Sequence, residues 1–337
     1  MLRPSGGGTK DMLRRDTIQG HEALWLENAW VRIAVLPRKG ADIYAFTHLP
    51  SGTEFLMRTP AGLRPPGGSL ADGFLQNYEG AWQELFPNHS DACTYRGRAI
   101  PFHGEVALLP WESSIEQDDA QATTVRLSVD CRQTPFRLTR RMRLPGEGIT
   151  LELESTVENL SADTEYFVWG HHVVLGGDFL MEGCRLEIPA GRLTTLTKLF
   201  EPGTAALAPA QDEPWPMARG RRPGERIDLR AIPGPEAHSH DDTCLTDLAE
   251  GRWTVVNPRL GLGFRLEWDV SVFPWVQMWT PYGGADLPPL TGIYGLGLEP
   301  WVSRFPLEQA IECGQARCIG AGETLTTVVC ATVLESI

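Results

Sequence analysis

Strict two-residue alternation of apolar and polar side chains, recurring along the whole chain with no long helical pattern between, is the feature that most limits the fold. Over residues 123–131, Val125, Leu127, Val129 and Cys131 alternate with Thr124, Arg126, Ser128 and Asp130. Residues 149–158 repeat the pattern, with Ile149, Leu151, Leu153 and Val157 opposite Thr150, Glu152, Glu154 and Glu158. A strand of this kind has one dry and one wet face, as in antiparallel sheets. Residues 23–27, 31–36, 42–48, 106–111, 165–175, 185–189, 253–257, 262–268, 272–280 and 324–334 read as further strands, and only 78–86 and 307–313 suggest short helices. Many strands without intervening helices predict an all-β fold, a sandwich or barrel.

The 35 Gly and 26 Pro are spread along the 337 residues, which suits many turns between short strands. Residues 59–73 and 202–226 read as long loops within the fold. Residues 1–20 are expected to be a flexible segment and 21–337 a single domain. Residues 1–15 contain no apolar run, so no secretory signal is expected there, and no stretch approaches the ~20 apolar residues needed to span a bilayer. The chain is therefore expected to be cytoplasmic, without a membrane partner. A net charge of −13 argues against a nucleic-acid partner. The run Arg137, Arg140, Arg141 and Arg143 reads as a solvated strand face rather than a phosphate site. The seven cysteines are odd in number and form no CxxC pair, so neither a disulfide framework nor a zinc cage is expected.

Four residues stand in settings that suit acid–base chemistry. His103 lies in Pro101-Phe102-His103-Gly104-Glu105, His171 and His172 in Trp169-Gly170-His171-His172-Val173, and Glu299 in Gly297-Leu298-Glu299-Pro300-Trp301. A carboxyl group and an imidazole can exchange protons with a substrate near neutral pH, because their environments can set their pKa values on either side of it. Neighbours on a strand face opposite ways, so only one of His171 and His172 is expected to enter a cleft. Eleven Trp supply flat apolar faces that suit either a core or the C–H faces of a sugar.

In chain order, these motifs resemble those of the galactose mutarotase-like superfamily, which includes the aldose 1-epimerases. Trp82-Gln83-Glu84-Leu85-Phe86-Pro87-Asn88 resembles the family's Trp-x-x-x-Phe-Pro-Asn stretch, His103-Gly104-Glu105 its first histidine motif, Gly170-His171 its second, and Leu298-Glu299-Pro300 the motif of its glutamate. Gly320-Ala321-Gly322-Glu323 resembles the Pro-Gly-Glu turn before the family's last strand, and together the matches cover residues 20 to 335. The resemblance implies a β-supersandwich and the interconversion of α and β anomers of a sugar by ring opening and closing. It implies Glu299 as general base, His171 as general acid and His103 on the ring oxygen, with no cofactor. His172, Asp242, Asn88, Trp82 and Arg98 are the expected substrate-binding residues. Gly170 stands where the family has Asn, and the family's Asn-Arg motif upstream of the first histidine is missing. The partner implied is a small-molecule sugar, the assembly a monomer or homodimer.

Three rival readings follow from the same residues. A cupin-like metal enzyme would use His103, Glu105, His171, His172, His238 and His240, but the spacing that such sites need is absent, and no metal is expected. A sugar-binding protein without turnover would use the same aromatic and polar groups. A sugar-phosphate enzyme would need arginines at the cleft mouth, for which Arg96 and Arg98, or Arg219, Arg221 and Arg222, are the candidates.

Overall fold

The computed structural model describes residues 12–66 and 73–336. Their architecture is two large antiparallel sheets, one of 12 strands and one of 8. The smaller sheet shows why alternation forms a sandwich. In Thr150–Asn159 every second residue is buried, and its neighbours Phe136–Pro145 and Thr324–Glu335 alternate in register with it. The buried faces of the two sheets meet, with Phe264 edge-on to Phe46 at 5.1 Å and Phe136 edge-on to Phe86 at 5.1 Å. One continuous apolar cluster runs through both sheets.

The centre of the larger sheet behaves differently. Trp82–Leu85, Gly170–Leu175 and Leu296–Trp301 are buried at every position. These strands lie side by side, followed by Trp275–Tyr282 and Ser239–Thr246. One of their faces packs on the smaller sheet; the other is covered by loops and by the residues around Phe74 and Tyr78. A strand covered on both sides has no solvent face, and so lacks the alternation that a wet face imposes.

Several expectations need correction. Residues 78–86 contain the strand Trp82–Leu85 rather than a helix. Residues 106–111 begin with a 3₁₀ turn, Val106–Leu108, and the strand starts only at Glu112. Residues 165–175 are two strands, Glu165–Phe167 and Gly170–Leu175, in different sheets. Within the segment expected to be flexible, Leu13–Ile18 is an edge strand paired with His21–Glu27; residues 1–11 lie outside the described residues. The 202–226 stretch is ordered and contains Asp212–Pro214 and Met217–Arg219. Residues 67–72 of the other long loop lie outside the described residues. The helix Leu307–Glu312 forms as expected. Among the described residues no helix is long and apolar enough to cross a membrane.

The arginine run divides by parity. Arg137, Arg141 and Arg143 point outward and meet Asp130, Glu116 and Glu152. Arg140 points inward, is fully buried, donates to the Ala41 carbonyl and sits 3.3 Å from Glu84 across the gap between the sheets. Removing one partner of a buried pair leaves the other uncompensated in a medium of low dielectric. Arg140→Leu should therefore lower unfolding free energy by about 3–5 kcal/mol in urea denaturation; an unchanged midpoint would show that Glu84 finds another partner.

Candidate active site

Register decides which histidine meets the carboxylate. On the Gly170–Leu175 strand His171 pairs with Glu84 and His172 with Gln83 of the neighbouring strand. Glu84 reaches Arg140 between the sheets, so His171 shares that inner face. Its Nδ1 accepts a hydrogen bond from Trp82 Nε1 at 3.3 Å, and its ring lies against Phe273. His172 points to the outer face. There its Nε2 lies 3.4 Å from Glu299 Oε1. The implied acid, His171, is thus replaced at the carboxyl group by its neighbour, and Trp82 goes to the inner face with it.

Glu299 is held from below: Trp301 Nε1 donates to its Oε2 at 3.1 Å. Glycines make room for this arrangement. A Cβ on Gly170 would stand 2.2 Å from the Trp301 indole, and one on Gly297 would stand 3.0 Å from Glu299 Oε1. The Gly at 170, a departure from the family pattern, is therefore what lets Trp301 lie across the strand.

His103 approaches from a loop. Its φ of 60° is left-handed, an uncommon conformation for a residue with a Cβ. The ring centroid lies 5.8 Å from that of His172 and 6.0 Å from that of Trp301, nearly parallel to the latter. Its Nδ1 accepts the Ser90 backbone N–H at 3.1 Å. A neutral imidazole whose Nδ1 accepts must carry its hydrogen on Nε2. His103 is thereby fixed as an Nε2–H donor.

Aromatic rings wall the group. Tyr78 lies 5.2 Å from the His172 ring, Phe74 4.9 Å from His103, and Trp279 5.8 Å from His172. Beyond Trp279 the polar face continues. Gln277 pairs with Glu299 in register and donates to Asp242 Oδ1. His240 accepts from Trp279 Nε1 at 2.6 Å through Nε2, and its Nδ1 lies 2.7 Å from Glu201.

The structure brings Glu299, His172, His103 and Asp242 to one face of one sheet. Asn88 is elsewhere occupied: it donates to the Asp91 and Pro101 carbonyls and accepts from the Leu307 N–H, which saturates it as a loop brace. Arg98 is exposed and donates to the Gln133 carbonyl. Of the other arginines considered for a phosphate, Arg96 meets Glu165, Arg219 meets Glu213 and Arg221 donates to the Pro202 carbonyl. Both ring nitrogens of His240 are occupied, and the described residues contain no group of three or more His, Cys, Asp or Glu placed to hold a metal. Sequence reasoning missed Tyr78, Phe74, Trp279, Gln277 and the His240–Glu201 pair; the first two reach the site through loop packing, for which no spacing signal exists.

Burial governs the protonation of the group. Glu299 is 3% exposed, and burial raises its carboxyl pKa well above the usual value, with the Trp301 N–H opposing and Asp242 adding to the rise. Burial lowers His172 to about 3 and His103 well below the ordinary imidazole range. Asp242 is pushed up to about 6, again by burial. At neutral pH the imidazoles are thus neutral and burial drives the Glu299 carboxyl toward its protonated form, while Asp242, at about 6, is mostly ionised. This differs from the ionised carboxylate and imidazolium that motif reasoning favours, because those motifs carry no information on solvent exclusion.

The fold is that of the galactose mutarotase-like proteins. Aligned structures include the Slr1438 protein of Synechocystis, 18% identical over 100% of both chains with a TM-score of 0.66. A candidate aldose 1-epimerase from Klebsiella pneumoniae is 14% identical, with a TM-score of 0.70 over 94% of this chain and 80% of that one. A galactose mutarotase-like protein from Lactobacillus casei is 14% identical, with a TM-score of 0.61 over 93% of this chain and 100% of that one. At such identities the likeness establishes the fold. The chain belongs to the family described as a domain of unknown function, DUF4432, whose model matches residues 18–332. No curated protein matches it.

A buried carboxyl group with a raised pKa binds a proton in the native state that the unfolded chain has released. Stability therefore falls as pH rises from the unfolded pKa, ~4.3, toward the native one. Glu299→Gln removes this cost, so it should melt at a higher temperature than the parent at pH 7, with the gap shrinking as pH falls below ~4. Equal melting curves across that range would contradict the raised pKa.

Proposed function

We propose that the protein interconverts the α and β anomers of an aldose, acting as an aldose 1-epimerase. The observation that carries this reading is the contact of His172 Nε2 with Glu299 Oε1 at 3.4 Å, with the Nε2–H of His103 fixed beside it. Ring opening removes the proton of the C1 hydroxyl and delivers one to the ring oxygen. These two oxygens are bonded to the same carbon, so the base and the acid must be neighbours. A carboxyl group and an imidazole in contact satisfy that demand.

In this mechanism Glu299 in its ionised form accepts the C1 hydroxyl proton as the C1–ring oxygen bond breaks. His172 in its protonated form delivers a proton to the departing ring oxygen, and His103 Nε2–H donates a hydrogen bond to that same oxygen. The product is the open-chain aldehyde. Rotation about the C1–C2 bond presents the other face of the carbonyl, and the reverse transfers close the ring. Because Glu299 and His172 are in contact, moving the carboxyl proton onto the imidazole converts the neutral resting pair into the reactive one without a proton from solvent. Sugar hydroxyls entering the site supply the hydrogen bonds that favour the charged form. Trp279 and Tyr78 provide flat faces for the sugar's C–H groups. With Glu299 and His172 both under 10% exposed, binding must displace part of the cover over them, to which Phe74 belongs, while Tyr78 stays beside His172.

Catalysis is tested by saturation-transfer NMR or polarimetry on a panel of aldoses. Glu299→Gln should slow anomer exchange by about 10²–10⁴-fold, the usual contribution of a general base. His172→Gln should give a loss of the same order, whereas His171→Gln should leave exchange within about threefold and lower thermal stability instead. Exchange that survives His172→Gln and vanishes in a folded His171→Gln protein would overturn this assignment.

A further inference from the structure

A second polar group adjoins the site on the side away from Asp242. The outer face of the large sheet carries, strand by strand, Asp42, Gln83, His172, Glu299, Gln277 and Asp242. At one end of this row Lys39 Nζ donates to both Asp42 Oδ2 and Glu79 Oε2, and Gln83 Nε2 lies 3.4 Å from Asp42 Oδ2 while donating to the Gly80 carbonyl at 2.7 Å. Asp42, Glu79 and Gln83 are fully buried.

The unusual property of this cluster is what remains unpaired. Asp42 Oδ1, Glu79 Oε1 and Gln83 Oε1 are buried and have no hydrogen-bond partner among the described residues, and the same holds for the Tyr78 hydroxyl. Buried polar atoms are ordinarily paired, and each one left unmatched costs about 1–3 kcal/mol. Four in one place point to a ligand that completes them. The Tyr78 phenol connects the cluster to the proposed chemistry: its ring lies 5.2 Å from that of His172, and burial first, then the nearby Glu299, Glu79 and Asp42, raise its pKa.

We infer that Asp42, Glu79 and Gln83 form a subsite that accepts hydrogen bonds from two neighbouring hydroxyl groups of the sugar, with Tyr78 between it and the anomeric carbon. This rests on the reading of the site as an aldose site. The chemistry of the atoms selects the ligand class. Glu79 Oε1 and Gln83 Oε1 offer lone pairs, and the Asp42 carboxyl, raised to about 8 chiefly by burial, can accept or donate at Oδ1, so the cluster suits a neutral ligand that both donates and accepts: a pair of hydroxyls does, a phosphate or carboxylate does not. Lys39 is committed to Asp42 and Glu79, and an anion placed against the remaining acceptors would meet only their lone pairs. Burial works against the charge on Lys39, yet Asp42 and Glu79 hold its pKa above the ordinary lysine value. The ammonium therefore stays in place as the brace that keeps both carboxyl groups oriented.

The test is calorimetric, so that it reads binding and not turnover. D-glucose, D-galactose, D-mannose and D-xylose are titrated into the full-length protein, followed by the monodeoxy analogues of whichever binds most tightly. One or two analogues lacking adjacent hydroxyls should bind about 10- to 100-fold more weakly than the parent sugar. Glu79→Gln should weaken binding of the parent sugar and leave binding of those analogues unchanged, since the contact is already gone. Asp42→Asn serves in the same way if Glu79→Gln fails to fold, and Tyr78→Phe provides a third variant outside the charged cluster. Parent protein that binds every deoxy analogue alike, variants that lose the same factor for all sugars, or no binding of any of the four sugars would overturn the inference. Anomer exchange measured alongside separates the two claims: selective coupling without exchange sinks the epimerase reading alone, and exchange without coupling sinks the subsite alone.

Discussion

Everything at the site depends on the strand Gly170–Leu175 being buried on both faces. On its inner face His171 belongs to a core network with Trp82, Glu84 and Arg140; on its outer face His172 touches Glu299. The alternation that builds the sandwich elsewhere here separates two adjacent histidines into two environments. One belongs to the structure that holds the sheets together, and the other to a face where acids, amides and imidazoles lie in a row. Charge on that inner face needs Arg140 for compensation. Charge on the outer face has no such cation at the Glu299–His172 contact, which is why burial leaves that pair neutral.

This arrangement works against stability. A protonated buried carboxyl group, imidazoles pushed far below their ordinary pKa and a histidine in left-handed conformation all raise the free energy of the native state. A fold with a continuous core through 12 and 8 strands can tolerate them. Such departures from local preference cluster where a protein handles protons, and here they fall together on one face, on residues from three distant parts of the chain.

The sequence made the all-β class legible because strands such as Phe136–Pro145 and Thr150–Asn159 have one wet face. Val31–Leu36, Asp42–His48 and Leu262–Trp268 begin and end where the alternation places them. Legibility failed at the centre for a physical reason. Trp82–Leu85 is covered on both sides, and its Trp-Gln-Glu-Leu sequence shows no alternation to mark it as a strand. The grouping of Glu299, His103 and Asp242 was anticipated from the order of motifs, but parity alone could not say which face of a doubly buried strand is the inner one, so His171 and His172 stayed undecided until the register with Glu84 and Gln83 resolved them. Asn88 was misplaced because a buried amide that braces a loop has the same local sequence as one that binds a ligand. Tyr78, Phe74, Lys39 and Glu79 come to the site through tertiary packing and leave no periodic trace.

A crystal structure of the Glu299→Gln protein with an aldose bound would test the central claim most directly. The account places the sugar's C1 hydroxyl within hydrogen-bond distance of residue 299 and its ring oxygen within reach of His172 or His103, on the outer face of the large sheet. A sugar bound with its anomeric carbon away from both, or seated on another surface, would contradict it.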